Sequence, residues 1–158
     1  MGREKSLIKS AERVKKFGEV FTPEWVVRKM CDELPPEAFG ISKTILEPSC
    51  GTGNFLVEVF RRKLENCRNA SEGLRALESI YGVDILADNV VESRNRLLNM
   101  YHEKFPDKDG FTAAALNIIT RNIICADFLK IADRIKSADN WEEVIGGNPN
   151  EDPQSKML

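Results

Sequence analysis

At 158 residues, with 42% hydrophobic and 30% charged side chains, the chain can form one domain with a real core and is too short for two of ordinary size. Its net charge of −2 excludes a generic polyanion binder, and no apolar run approaches the ~20 residues of a membrane span. The first six residues lack the apolar stretch of a signal peptide, so a cytoplasmic location is expected.

Charge is uneven along the chain. Arg3, Lys5, Lys9, Arg13, Lys15 and Lys16 outweigh Glu4 and Glu12, giving +4 over residues 1–16 and −6 for the remainder. Leu7, Ala11 and Val14 fall at helical spacing among these lysines, so residues 5–16 read as an amphipathic helix or arm. Such an arm could touch phosphates or form a solvated face.

Thr22 is placed to cap the next helix, with Pro23 at its first position, where a missing N–H costs nothing. That helix is expected to bury Trp25, Val26, Val27, Met30 and Leu34 and to stop at Pro35 and Pro36. Residues 45–55, I-L-E-P-S-C-G-T-G-N-F, then read as a strand ending in Glu47, a glycine turn, and a helix carrying Phe55, Leu56, Val59, Phe60 and Leu64. Ligands of α/β folds sit at such junctions, outside the carboxyl ends of parallel strands.

Residues 65–72 are polar, with Gly73 expected in a loop and a short helical piece after it. A second strand over residues 79–84 ends in Asp84, 31 residues after Gly53, and is followed by Ile85. A helix carrying Val90, Leu97, Leu98 and Tyr101 runs to the turn around Pro106 and Gly110, and a short packing helix is expected over residues 111–119. A third strand over residues 122–125 leads to Asp127 and Phe128, where Asp127 is placed to cap a helix. Residues 139–147 read as a fourth strand, followed by Asn148, Pro149 and Asn150. The pattern predicts a doubly wound α/β domain with parallel strands in the order 3-2-1-4. Residues 1–16 would form an arm, 17–150 the core and 151–158 a short tail.

Cys31, Cys50, Cys67 and Cys125 lie far apart, and His102 is the sole histidine, so neither a disulfide framework nor a metal site is expected. Cys31 and Cys125 read as core residues, Cys50 as a small turn residue, and His102 as a surface residue without a role. No base neighbours a cysteine in sequence, which excludes thiol nucleophile chemistry.

The glycine turn discriminates among ligands. Leu56 stands where a dinucleotide fingerprint needs its third glycine, and the phosphate-loop pattern is absent. Instead, the string E-P-S-C-G-T-G-N-F resembles the first motif of S-adenosylmethionine-dependent methyltransferases, in the form used by adenine-N6 DNA methyltransferases of restriction-modification systems. Phe21, Thr22 and Pro23 ahead of it match the F-x-x-P-type segment of the family's gamma ordering, which includes type I modification subunits.

The resemblance implies a Rossmann-like methyltransferase fold, with S-adenosylmethionine across the ends of strands 1 and 2. Glu47, Pro48, Cys50, Gly51, Gly53 and Phe55 would form the first motif, with Glu47 taking the amino group and the turn amides facing the carboxylate. Phe21, Thr22 and Pro23 would border the methionine half, Asp84 would accept the ribose hydroxyls, and Ile85 would lie on the adenine. Asp127 and Phe128 would contact the adenine amino group and ring. Asn148 and Pro149 match the start of the catalytic [DNS]-P-P-[YFW] motif, while Asn150 and Glu151 replace its second proline and its aromatic.

The implied function is methyl transfer to N6 of adenine in double-stranded DNA, this chain being chiefly the cofactor-binding portion, cut off after the fourth strand. A partner subunit or a second copy would cover that strand's edge. Two alternatives stay open: a non-catalytic cofactor-binding or interaction module, and methylation of a protein glutamine or of RNA.

Overall fold

A computed structural model describes residues 6–106 and 110–147. In chain order the elements are α1 (Ala11–Phe17), α2 (Glu24–Asp32), a 3-10 turn (Pro36–Phe39), β1 (Ile45–Glu47), α3 (Asn54–Glu65) and α4 (Ala70–Glu78). There follow β2 (Ile80–Asp84), α5 (Ala87–Lys104), α6 (Phe111–Asn122), β3 (Ile123–Cys125), α7 (Phe128–Ser137) and α8 (Trp141–Gly146).

The described strands form one parallel sheet in the order β1-β2-β3. Ile45 pairs with Ile80, and Gly82 with Ile123, so the carboxyl ends Glu47, Asp84 and Cys125 lie along one rim. Every residue of the central strand β2 is buried, as a parallel strand covered on both faces must be. Both crossovers step the same way across the sheet, which under the rule of right-handed connections places their helices on one face. Accordingly Ile45, Ile80 and Ile123 share a core with Leu56, Val59 and Phe60 of α3, Leu77 of α4, Leu97 of α5 and Ile119 of α6. The alternate residues Leu46, Tyr81, Val83 and Ile124 face the other way, against α7 and α8.

The expected fourth strand is not a strand. Residues 141–146 form α8, with Ile145 buried against Tyr81 and Val83, and the Trp141 ring edge-on to Tyr81 at 5.2 Å. Asn140 bonds Glu143 at 3.0 Å, two acids occupy the first turn, and Gly147 closes the helix at φ 71°. These terminal signals outweigh the short Val144-Ile145 run, which by itself suits either structure. A fourth-strand edge for a partner to cover therefore does not exist among the described residues.

Smaller differences have local causes. Ser10 accepts a hydrogen bond from the Arg13 amide, so the first helix starts at Ala11 rather than near residue 5. α2 starts at Glu24 with Pro23 outside it, and Thr22 does not cap it. A helix of nine residues has room for one buried stripe, Val27 and Cys31, so Trp25 and Met30 remain 61% and 51% exposed and Leu34 falls beyond its end. Lys29 lies over the Trp25 ring at 5.4 Å. Gly73 sits inside α4, where a Cβ would stand 2.6 Å from the Phe105 ring. Cys125 is exposed on the outer strand, whereas Cys31 is fully buried. His102 is exposed, 3.4 Å from the Thr112 hydroxyl. Among the described residues no helix is long and apolar enough to cross a membrane.

Lys63 of α3 is fully buried and donates to the carbonyls of Gly40 and Lys43 at 2.7 and 2.6 Å, tying the approach to β1 onto the helix. Burial pulls its pKa from 10.5 down to about 8. Between those values the unfolded chain keeps a proton that the folded chain has released. Stability therefore rises with pH across this window, by up to about 1.4 kcal/mol per pH unit. Lys63→Met is expected to lose that rise, as measured by denaturant unfolding at several pH values inside and below the window. Identical pH dependence in the two proteins would refute it.

Candidate functional site

The site is built around the loop of residues 49–53 between β1 and α3. Gly51 and Gly53 have φ of 53° and 87°, conformations that L side chains rarely adopt. Both are also pressed from outside. A Cβ on Gly51 would meet the Phe21 ring at 3.2 Å, and one on Gly53 would meet the Ser93 hydroxyl at 2.5 Å.

Asp84, at the end of β2, holds this loop. Its Oδ2 accepts the Gly51 amide at 2.9 Å, and its Oδ1 accepts the Leu86 amide at 2.9 Å and the Asn89 side-chain amide at 3.2 Å. The Ala126 amide donates to the Asp84 carbonyl at 2.9 Å, so the end of β3 is pinned to the same point.

Residues 17–22 cross over the loop as a strap. Phe21 donates its amide to the Leu7 carbonyl at 2.8 Å and lays its ring on Gly51. Asn54 donates to the Thr22 carbonyl at 2.9 Å and accepts from Arg96 at 2.7 Å, while Arg96 also donates to the Thr52 carbonyl.

The base of the strap is fixed by charge. Arg13 donates to both carboxylate oxygens of Glu19, at 2.9 and 2.6 Å, and to Asp88 at 2.8 Å. Lys9 donates to Asp88 at 2.9 Å and to Asn89 at 2.8 Å, and lies 3.3 Å from Glu92. Two residues of the basic arm are thus engaged by α5 instead of standing free for phosphates. Hydrogen bonds from Arg13 and then Lys9 depress the Asp88 carboxyl. Burial pushes Glu19 up, but hydrogen bonds from Arg13 and Asn89 outweigh it and leave this carboxyl low as well.

Strap, loop and the ends of β1 and β2 enclose a cleft of about 250 Å³. Phe21, Thr22, Glu47, Cys50, Gly51, Phe55, Asp84 and Ile85 of the sequence-derived set line it. Pro23, Pro48 and Gly53 flank that lining. Glu47 has lost water, which raises its carboxyl despite a 3.3 Å hydrogen bond from the Ser49 amide. Ile85 is 48% exposed at the lip. The Cys50 thiol is pushed up to about 12, first by burial and then by the charge of Asp84, which is the wrong direction for a nucleophile.

Asp127 and Phe128 are not brought to the cleft. Asp127 caps α7 by accepting the Leu129 amide at 3.1 Å, and Phe128 packs on the Tyr81, Val83 and Ile145 cluster across the sheet. Asn148 and Pro149, with Asn150 and Glu151, lie outside the described residues.

Sequence reasoning passed over Glu19, Asn89, Ser93 and Arg96. The last three are spaced i, i+4 and i+7 on α5, so they form one polar stripe along the loop. Asn89 and Ser93 are buried at 1% and 0%. The signal available was a helix whose polar residues themselves keep helical period.

The fold is a mixed α/β domain whose parallel strand ends cradle a glycine loop, with acids at the first two ends, the place where α/β domains in general bind ligands. The chain belongs to the N-6 DNA Methylase family, which it matches over residues 4–128. It is 32% identical over 105 residues to the Type II methyltransferase M.VspI of Vibrio sp. (strain 343), covering 65% of this chain and 22% of that protein. It is 35% identical over 68 residues to the Type I restriction enzyme EcoEI methylase subunit of Escherichia coli, covering 42% of this chain and 13% of the other. The chain therefore spans less than a quarter of the length of these relatives. No solved structure matches it significantly.

Gly53→Ala tests the loop. The strained φ alone should cost about 1–3 kcal/mol, and the contact with Ser93 adds to it. Gly110 has a similar φ of 77°, and no atom of the described residues lies within 4 Å of its missing Cβ. Gly110→Ala is expected to show the smaller loss in denaturant unfolding. Equal losses would mean that the loop does not press on α5.

Proposed function

We propose that this chain forms the S-adenosylmethionine site of an enzyme that methylates N6 of adenine in DNA, within a restriction-modification system. Family membership and the two named relatives support the reaction class. The cleft is the observation that carries the cofactor. One desolvated carboxylate, a strained glycine turn, a strand-end aspartate and an exposed aliphatic side chain line a single hollow.

The residues fit the cofactor's parts. Glu47 suits an ammonium group, whose charge would offset its desolvation. Asp84 receives three protein donors, while an ionised carboxylate has about four acceptor positions, so it keeps capacity for a ribose hydroxyl. Ile85 offers an open apolar face to a purine. Phe21, held on Gly51, would border the methionine half. On this reading the domain takes the Rossmann-like methyltransferase fold, and the relative from a type I system suggests partner subunits.

Bound S-adenosylmethionine supplies an electrophilic methyl group on sulfur. The adenine N6 lone pair is delocalised into its ring, so the protein must localise it. The Asn148 side-chain oxygen and the Pro149 carbonyl would each accept one amino hydrogen. With the methyl donor held by Glu47 and Asp84, those two acceptors would turn the N6 lone pair toward the methyl group, sulfur would keep the pair of the carbon–sulfur bond, and the surplus amine proton would be released to solvent. An aromatic that would stack on a flipped base is replaced by Glu151, at a cost of roughly 1–3 kcal/mol of base stacking. That replacement favours a second reading, in which the chain binds the cofactor without transferring its methyl group.

Titration calorimetry with S-adenosylmethionine decides the first step. Wild-type affinity is expected to fall as pH drops through the raised pKa of Glu47, because protonation removes the charge the ammonium needs. Glu47→Gln should weaken binding by about 1.5–3 kcal/mol and flatten that pH dependence. No heat from folded wild-type protein would sink the cofactor assignment. Labelled methyl transfer to DNA with unmethylated adenines separates the two readings: incorporation abolished by Asn148→Ala marks an enzyme, and binding without incorporation marks a module.

A further inference from the structure

Asn89 is 1% exposed and belongs to no part of the cleft wall, yet its side chain makes contacts in four directions. Its amide nitrogen donates to Glu19 at 2.8 Å and to Asp84 at 3.2 Å, and its oxygen accepts from Lys9 at 2.8 Å and Arg13 at 3.2 Å. One amide thus joins the strap, the arm and the strand-end acid. The Glu19 side chain, 7% exposed, is held between this amide and the Arg13 fork. A buried network with every member satisfied fixes geometry, and it is costly to leave in part unmade.

We propose that Asn89 is a positioning residue for the cofactor, its hydrogen bond to Glu19, which itself lines the cleft, registering the strap of residues 17–22 with the carboxylate of Asp84. This rests on the cofactor reading above. It adds that closure of the strap and aim of the ribose acid are one event, set by a residue that touches no ligand. Neither carboxylate is free to turn, because the two NH donors of one amide lie between them.

The test uses Glu19→Gln and Asn89→Asp in the full chain, each checked for native circular dichroism. Asn89→Asp keeps the shape and turns a donor into a third carboxylate facing Glu19 and Asp84. Asp88 and Glu92 add negative charge there, and Lys9 and Arg13 offset it. Both variants should bind S-adenosylmethionine about tenfold more weakly or worse. Without cofactor, both should be cut faster by trypsin at Lys15 and Lys16, beside the strap. The deficit of Asn89→Asp relative to wild type should narrow as pH falls and the new carboxyl takes up a proton, which a merely structural loss would not do. Glu19→Gln, which keeps the shape of the side chain and adds no charge, serves if Asn89→Asp does not fold. Wild-type binding with unaltered affinity and proteolysis in the folded variants overturns this proposal alone. Absence of wild-type binding overturns the cofactor reading with it.

Discussion

The buried carboxylate of Asp84 is the group on which the remaining arrangement depends. An ionised carboxylate at 8% exposure must be supplied with hydrogen-bond donors or it destabilises the fold. Its donors come from two places: the glycine loop, through the Gly51 amide, and the start of α5, through the Leu86 cap amide and the Asn89 side chain. Both segments are thereby brought to the end of β2. The loop can approach because Gly51 and Gly53 lack side chains, and α5 starts where it does because its cap amide is bonded to the strand before it. Strand, loop and helix are thus organised by the electrostatic demand of one side chain.

Topology then determines what lies on either side of that point. Two crossovers in the same direction collect α3 to α6 on one face of the sheet, and the chain passes to the opposite face only after β3. The rim left between the ends of β1 and β2 would be open on top. Residues 17–22, anchored by Phe21 on Gly51 and by Asn54 on the Thr22 carbonyl, cover it. The cleft therefore has a floor from the sheet and a roof from a segment that leaves α1 at Phe17 and has no regular structure beyond it, held by side chains of α3 and α5.

Much of this was legible in the sequence, because strand ends are marked by chemistry as well as by hydrophobicity. Glu47, Asp84 and Cys125 each close an apolar run, and each ends a strand in the structure. The glycine loop was legible for the same reason. What was misread shares a cause: burial is a tertiary property that short segments cannot specify. Residues 139–147 hold too few apolar positions to distinguish period two from period 3.6, and α8 resulted. Trp25 and Met30 look like core residues until the length of α2 is known, and Gly73 looks like a breaker until Phe105 is seen against it. The polar stripe of Asn89, Ser93 and Arg96 stayed hidden because polar residues on a helix ordinarily signify its solvent face.

The pairing of the basic arm with α5 changes what the arm can offer a duplex. A cation that meets a DNA phosphate strengthens binding by releasing a counterion from the DNA, which makes the affinity steep in salt. Lys9 and Arg13 already lie against Asp88, Glu19 and Glu92, so moving them to a phosphate would leave those carboxylates unpaired. The two terms oppose each other. Among the described residues Lys15 and Lys16 of the same arm pair with no carboxylate, and they lie exposed in the last turn of α1. A charge count over residues 1–16 therefore overstates the number of ions that contact with a polyanion would set free.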